Sequence, residues 1–256
     1  MKHWEDIHKW VVKHGDESNP DFYELKQILS TENITNTTSN ENCVLHFAAV
    51  SQSSRVLEHL LNAAPPSMID AQNYLGETPL HWACSSGTIY HVELLIRAGA
   101  NCEALDDKSN SILHFAAQAG NLPVTRFILK KNLCQTECAN ISNKTPLAVA
   151  CEEQEFRIIR ALARSGASTS ALIRHYVGVN EPKIVKELLK GDTTKVETEG
   201  CQNPLHLAVV FNHYEVAKVL LQVNRLWKQQ ADQNGNTPAK LLQNSSDVRL
   251  AKLLAA

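Results

Sequence analysis

Long apolar runs are missing from this sequence. No stretch approaches the ~18 uninterrupted apolar residues that a membrane-spanning helix needs. The opening residues, MKHWEDIHKWVVKHGDE, break every short apolar run with charge, so no secretory leader is expected. Blocks of lysine and arginine are missing too: 25 Lys and Arg stand against 27 Asp and Glu, for a net charge of −2 and an isoelectric point near 6.6. Without a basic tract, neither nucleic acid nor an anionic membrane is an expected partner. Three catalytic signatures are also absent: a glycine-rich phosphate loop, His-Glu-x-x-His and Gly-x-Ser-x-Gly. The seven cysteines are an odd count, scattered along a chain too long to need stapling. They read as reduced thiols in a cytoplasmic protein, with the nucleus left open. Asn33-Ile-Thr and Asn140-Ile-Ser match the glycosylation pattern, but with no leader expected they count as chance.

What the sequence does have is a globular composition, 43% hydrophobic and 20% charged, and a repeat. The stretch GETPLHWACSSGTIYHVELLIRAGAN, Gly76 to Asn101, recurs with losses near Asn40, Ser109, Asn143, Cys201 and Gly235. Its anchor positions are Leu45, Leu80, Leu113, Leu147, Leu205 and Ala239, and the first three steps are 35, 33 and 34 residues. Thr78, Thr145 and Thr237 are candidate helix caps, each followed by proline at the first helical position. A short helix follows, with small or apolar residues at Leu80, Trp82, Ala83 and Cys84. The chain breaks at Gly87 or Gly120, and a second helix with period near 3.6 runs through Val92, Leu95 and Ile96 to a C-terminal Gly99. Such a pair cannot bury its own apolar face. Small residues at Ala83, Ala116, Ala117, Ala150 and Ala208 let the next pair stack closely and close the core. The spacing thus predicts an all-α stack with short loops along one edge.

The full-length match of Gly76–Asn101, repeated in step, resembles the ankyrin repeat family. The resemblance covers roughly residues 40–256 and implies a solenoid of about six to seven helix-turn-helix repeats with short hairpin loops. It also implies protein binding as the expected role. Residues 1–39 read as divergent N-terminal capping helices, with Trp4, Ile7, Trp10 and Val11 on one face. Residues 232–256 read as a trimmed C-terminal capping repeat. Leu147 and Leu205 lie 58 residues apart, where two repeats need about 66 to 68. A degenerate repeat at about 168–195, its connecting loop shortened by about eight residues, accounts for the deficit. Either Leu172 or Ile173 is its anchor.

Candidates for chemistry reduce to few. His46, His81, His114 and His206 recur at one position of successive units, whereas an active site is needed once. They read as structural ties between a helix start and a neighbouring loop, a role missing where Ala148 and Lys240 stand. Cys134 and Cys138 lack the second ligand pair of a zinc site, so no metal and no cofactor are expected. Phe47, Trp82 and Phe115 share an inward position and read as core. No catalytic residue is assigned. The leading expectation is a non-enzymatic adaptor, scaffold or regulator, a monomer, that binds another protein through its concave loop and inner-helix face. The expected contact residues are Gln72, Tyr74, Leu75 and Glu77; Leu105, Asp107, Lys108, Asn110 and Gln118; Ile141, Lys144, Glu152 and Glu153; and Val210 and Phe211. Their acidic members favour a partner with a basic surface. The alternatives are an effector of the ankyrin type made by a pathogen and, less favoured, a Cys/His hydrolase or metal-dependent module hidden in the repeats.

Overall fold

The computed structural model describes residues 37–51, 53–191, 203–242 and 247–255. Of the N-terminal helices expected over 1–39, residues 1–36 lie outside the described residues. The described residues form α-helices, two 3-10 turns and one isolated antiparallel bridge between Leu105 and Ser111. The helices follow in pairs: α1 (Val44–Ala49) and α2 (Ser54–Ala63); α3 (Pro79–Ser86) and α4 (Ile89–Arg97); α5 (Ile112–Gln118) and α6 (Leu122–Lys131); α7 (Pro146–Glu152) and α8 (Phe156–Arg164). Three further pairs are α9 (Ser170–Gly178) and α10 (Pro182–Leu188); α11 (Pro204–Val210) and α12 (Tyr214–Val223); α13 (Pro238–Leu241) and α14 (Val248–Ala255).

The chain divides into two compact units, Met1–Val149 and Ala150–Ala256, with α7 running across the division. In unit one the first helices α1, α3 and α5 pack in a row, and the second helices α2, α4 and α6 in another. Unit two repeats the plan, with α9, α11 and α13 in one row and α8, α10, α12 and α14 in the other. Helices of four to ten residues are too short to persist alone, so their stability comes from this packing. Leu45, Leu80, Leu113, Leu147 and Leu205 are all fully buried. Each such side chain contributes about 1.5–3 kcal/mol relative to exposure. Ala239, assigned the same role in the sequence, is exposed.

The shortened link is present. Residues 165–169, five in all, join α8 to α9, whereas the links ahead of α3, α5, α7 and α13 hold fourteen or fifteen. The anchor of the degenerate repeat is Ile173. Ahead of α6, α8 and α12 the amide of the helix N-cap donates to a carbonyl three residues beyond the anchor: Asn121 to Ala116, Glu155 to Ala150 and His213 to Ala208. In the degenerate repeat Glu181 donates to Tyr176, which puts Ile173 level with Leu113, Leu147 and Leu205. Ile173 is fully buried and Leu172 is not. Asn180, with φ +60°, therefore stands where Gly120 stands with φ +71°.

Candidate functional site

The loops ahead of α3, α5, α7 and α13 share one construction. A side-chain oxygen of Asn73, Asp106, Asn140 or Asp232 accepts two backbone amides, two and four residues on. For Asn73 these are Leu75 at 2.9 Å and Glu77 at 3.0 Å; for Asp106 they are Lys108 at 2.9 Å and Asn110 at 2.6 Å. Asn140 holds Ser142 and Lys144, and Asp232 holds Asn234 and Asn236. Such bonds fix a tight turn from within the local sequence. In unit one the tips are also tied to one another. Tyr74 N–H donates to the Asn40 carbonyl at 3.1 Å, Asp107 N–H to Leu75 at 3.0 Å, and Ile141 N–H to Lys108 at 3.0 Å. Asn73 Nδ2 further reaches Asn42 Oδ1 at 2.9 Å, and Asn140 Nδ2 reaches Asn110 Oδ1 at 2.8 Å.

The histidines supply a second tie. The backbone N–H of Cys43, Thr78, Ser111 and Asn203 donates to Nδ1 of His46, His81, His114 and His206 at 3.0–3.2 Å. Nδ1 is thereby an acceptor, and Nε2 carries the proton. Nε2 of His46 donates to the Glu77 carbonyl at 2.9 Å, that of His114 to Lys144 at 3.0 Å and that of His206 to Asn236 at 3.0 Å. Each therefore grips the base of the next loop. His81 Nε2 is the exception, buried with no partner within hydrogen-bond distance. Burial pushes the pKa of His46, His81 and His114 below 6.5, which keeps the rings neutral. Where histidine is missing, Ala148 N–H bonds Thr145 Oγ1 at 3.3 Å and Lys240 Nζ bonds the Gly235 carbonyl at 3.0 Å.

The expected contact residues divide between the units. In unit one, Tyr74 and Ile141 are 67% and 69% exposed. Gln72, Leu75, Leu105, Asp107, Lys108 and Gln118 are exposed as well. Three others are half-buried and partly consumed by the fold. Glu77 Oε2 accepts from Trp82 Nε1 at 2.7 Å and from Asn73 Nδ2 at 2.9 Å. The Asn110 amide bonds Asp106 and Asn140, and Lys144 lends its carbonyl to His114. Phe47, Trp82 and Phe115 are also half-buried, in edge or tilted contact with neighbouring rings. In unit two, Glu152 and Glu153 are exposed, and Val210 and Phe211 are 58% and 52% exposed. Val179, passed over in the sequence, occupies the Phe211 position one repeat earlier and is also exposed. Its signal was the C-cap position after α9, hidden until the anchor was settled.

One pair imitates a catalytic dyad. Cys43 Sγ lies 3.2 Å from His46 Nδ1. The thiol occupies the place held by the Thr78 and Ser111 hydroxyls, is 1% exposed, and has its pKa raised by burial. Reactive cysteines need the opposite environment. Cys134 is likewise pushed up to about 12 by burial. With Cys138, Glu103 and Leu105 it lines a pocket of about 200 Å³. Among the described residues no group of three His, Cys, Asp or Glu side chains is placed to hold a metal ion. No helix among them is long and apolar enough to cross a membrane.

Stacked helix pairs with laterally tied loop tips define a repeat protein. The family model for ankyrin repeats, in three copies, matches residues 10–106, 90–172 and 174–256, and the chain belongs to that family of protein–protein interaction modules. It is 25% identical over 83% of its length to the putative palmitoyltransferase ZDHHC13 of Danio rerio, of which 29% is covered. It is 27% identical over 85% of its length to the nuclear factor NF-kappa-B p105 subunit of Gallus gallus, covering 20% of that protein. Interferon antagonist OPG039 of Monkeypox virus is 31% identical over 43% of the chain, which spans 37% of that protein. The chain thus spans less than two fifths of the length of these relatives.

Proposed function

We propose that the protein is a non-enzymatic regulator or adaptor that captures another protein along the tip row of unit one. The observation that carries this reading is the pairing of exposure with rigidity at Tyr74 and Ile141. Both are large, apolar and two-thirds exposed, yet both sit on tips whose amides are bonded to the preceding tip. A side chain carried on a backbone already held in place leaves less freedom to be lost on binding, so more of its contact energy appears as affinity. Leu75 and Gln118 extend this surface, and Asp107 and Lys108 give it charge of both signs. In unit two, Val179, Val210 and Phe211 form a smaller apolar patch suited to the same kind of partner. Glu152 and Glu153 lie exposed at the end of α7 and favour a partner surface carrying lysine or arginine, an effect that should weaken with salt. The six described cysteines are all unpaired, which suits a reducing compartment such as the cytoplasm.

The test is photocrosslinking from positions 74 and 141 in cells, followed by affinity measurement with the purified partner. Tyr74→Ala with Ile141→Ala should weaken binding by about thirtyfold or more, since truncating one good anchor costs ~2 kcal/mol. Unchanged affinity moves the site elsewhere. The similarity to a poxvirus interferon antagonist favours a second reading, an effector that acts on host signalling. An interferon-responsive reporter, unaffected by expression of the chain, would end that reading and leave the first standing.

A further inference from the structure

The second helices of unit two carry a pattern that the chain's net charge hides. Glu155, Glu181 and His213 are the N-caps of α8, α10 and α12, and they set these helices in common register. Five residues beyond each cap stand Arg160, Lys186 and Lys218. Because α8 packs on α10 and α10 on α12, these three form a row across neighbouring helices, whose axes lie roughly 8–10 Å apart. Arg157 and Lys183, three residues earlier, and Arg164 and Lys190, four residues later, share the faces of α8 and α10. The acid set among them is Glu187, mostly buried. Arg160 grips it at 2.7 and 3.1 Å and Lys190 at 2.6 Å. Those pairs hold Glu187 below the usual carboxylate range even though burial opposes it. The remaining acids of these helices, Glu155, Glu181 and Glu215, lie at or beside the N-termini, where the helix dipole favours them. Lys186 and Lys218 are exposed and make no ion pair among the described residues.

Beyond Lys218 the row runs into a cleft of about 300 Å³ between α12, the 3-10 turn Arg225–Lys228 and α14. Lys218, Arg225 and Lys228 line it. Leu221 and Leu253 supply its apolar surface. Neither Arg225 nor Lys228 is ion-paired among the described residues, so three cations meet at one concavity without a counter-charge.

We infer that this face of unit two is a second binding surface, for an acidic protein segment that places an apolar side chain in the cleft. The chemistry of the walls decides among polyanions. A duplex offers phosphates but nothing apolar to set against Leu221 and Leu253. A bilayer surface is too broad to enter a cleft of this size. A peptide carries carboxylates for the cation row and an aliphatic or aromatic side chain for the leucines, and the volume is at the lower end of ordinary ligand pockets. The surface belongs to unit two and shares no residue with the tip row of unit one.

Fluorescence anisotropy with a labelled peptide of alternating glutamate and leucine, titrated with the full chain, tests this. Binding should weaken steadily as salt rises. The triple variant Lys218→Glu, Arg225→Glu, Lys228→Glu should raise Kd at least tenfold while its thermal melt stays close to that of the parent, because Lys218 and Arg225 are exposed and Lys228 is only half-buried. A peptide with serine in place of leucine should bind several-fold more weakly. Lys130→Glu, a reversal on α6 of unit one, should leave Kd unchanged. The inference is overturned if the triple variant binds like the parent, or if the serine peptide binds as well as the leucine one. Binding of phosphatidylserine vesicles or duplex DNA in preference to the peptide, abolished by the same triple variant, also overturns it.

Discussion

At the scale of the residue, the repeated histidine is a two-ended clamp, and its members are unequal. His114 bonds its own cap and the next loop, whereas His81 bonds its cap alone. His114→Ala should therefore cost about 2–3 kcal/mol and His81→Ala about 1–2 kcal/mol, read by denaturant unfolding. Acid should act through the same rings. His46, His81 and His114 have folded pKa values depressed below 6.5, chiefly by burial. As pH falls through 6.5 the unfolded chain takes up protons that the folded chain refuses. Stability is thus fully present above about pH 6.5 and is lost below it, at up to about 1.4 kcal/mol per pH unit for each ring. Urea midpoints between pH 7.5 and 5 check this, and His114→Ala should flatten the slope. The clamp was legible in the sequence because it recurs. That His81 lacks its outer bond was not legible, since this depends on the placement of the loop it faces.

At the scale of the element, the loop tips show how one conformation is reached by different residues. Gly76, Ser109, Asn143 and Gly235 all have positive φ at the same place in the turn. At Gly235 a methyl group would meet nothing within 4 Å. At Gly76 it would lie 2.5 Å from Asp107 Oδ1 and 2.7 Å from Asp107 N, the amide that ties this tip to the next. Gly235→Ala should thus cost about 1 kcal/mol from backbone strain alone. Gly76→Ala should cost more and should also weaken capture by the tip row, since Asp107 must move; thermal unfolding of the two variants separates the cases. Helix pairs and most loops could be read from Thr-Pro starts and glycine stops. The degenerate repeat could not be placed, because Tyr176 fills a position that five of the other six repeats give to alanine, and the five-residue link removed the Thr-Pro signal.

At the scale of the whole chain, a near-neutral total conceals an uneven division. Residues 1–149 carry 11 Lys and Arg against 16 Asp and Glu, and residues 150–256 carry 14 against 11. A search for basic blocks passes over cations spaced three and four apart, because only a folded helix gathers them on one face. The candidate contact residues were legible as tip and first-helix positions. That Glu77 is spent on Trp82, and that Lys186 and Lys218 line up, emerged only from packing. The lateral bonds between tips have a further consequence for isotope exchange. The amides of Tyr74, Asp107 and Ile141 sit at the solvent edge, where a free amide would trade its proton with deuterium oxide in seconds or less. Each is held by a carbonyl of the preceding tip, so exchange requires adjacent repeats to part rather than a helix to fray. Mass spectrometry of deuterium uptake at these three amides would then time the opening of each seam in unit one separately. Ile141 should slow further when a partner lies across Lys108 and Ile141.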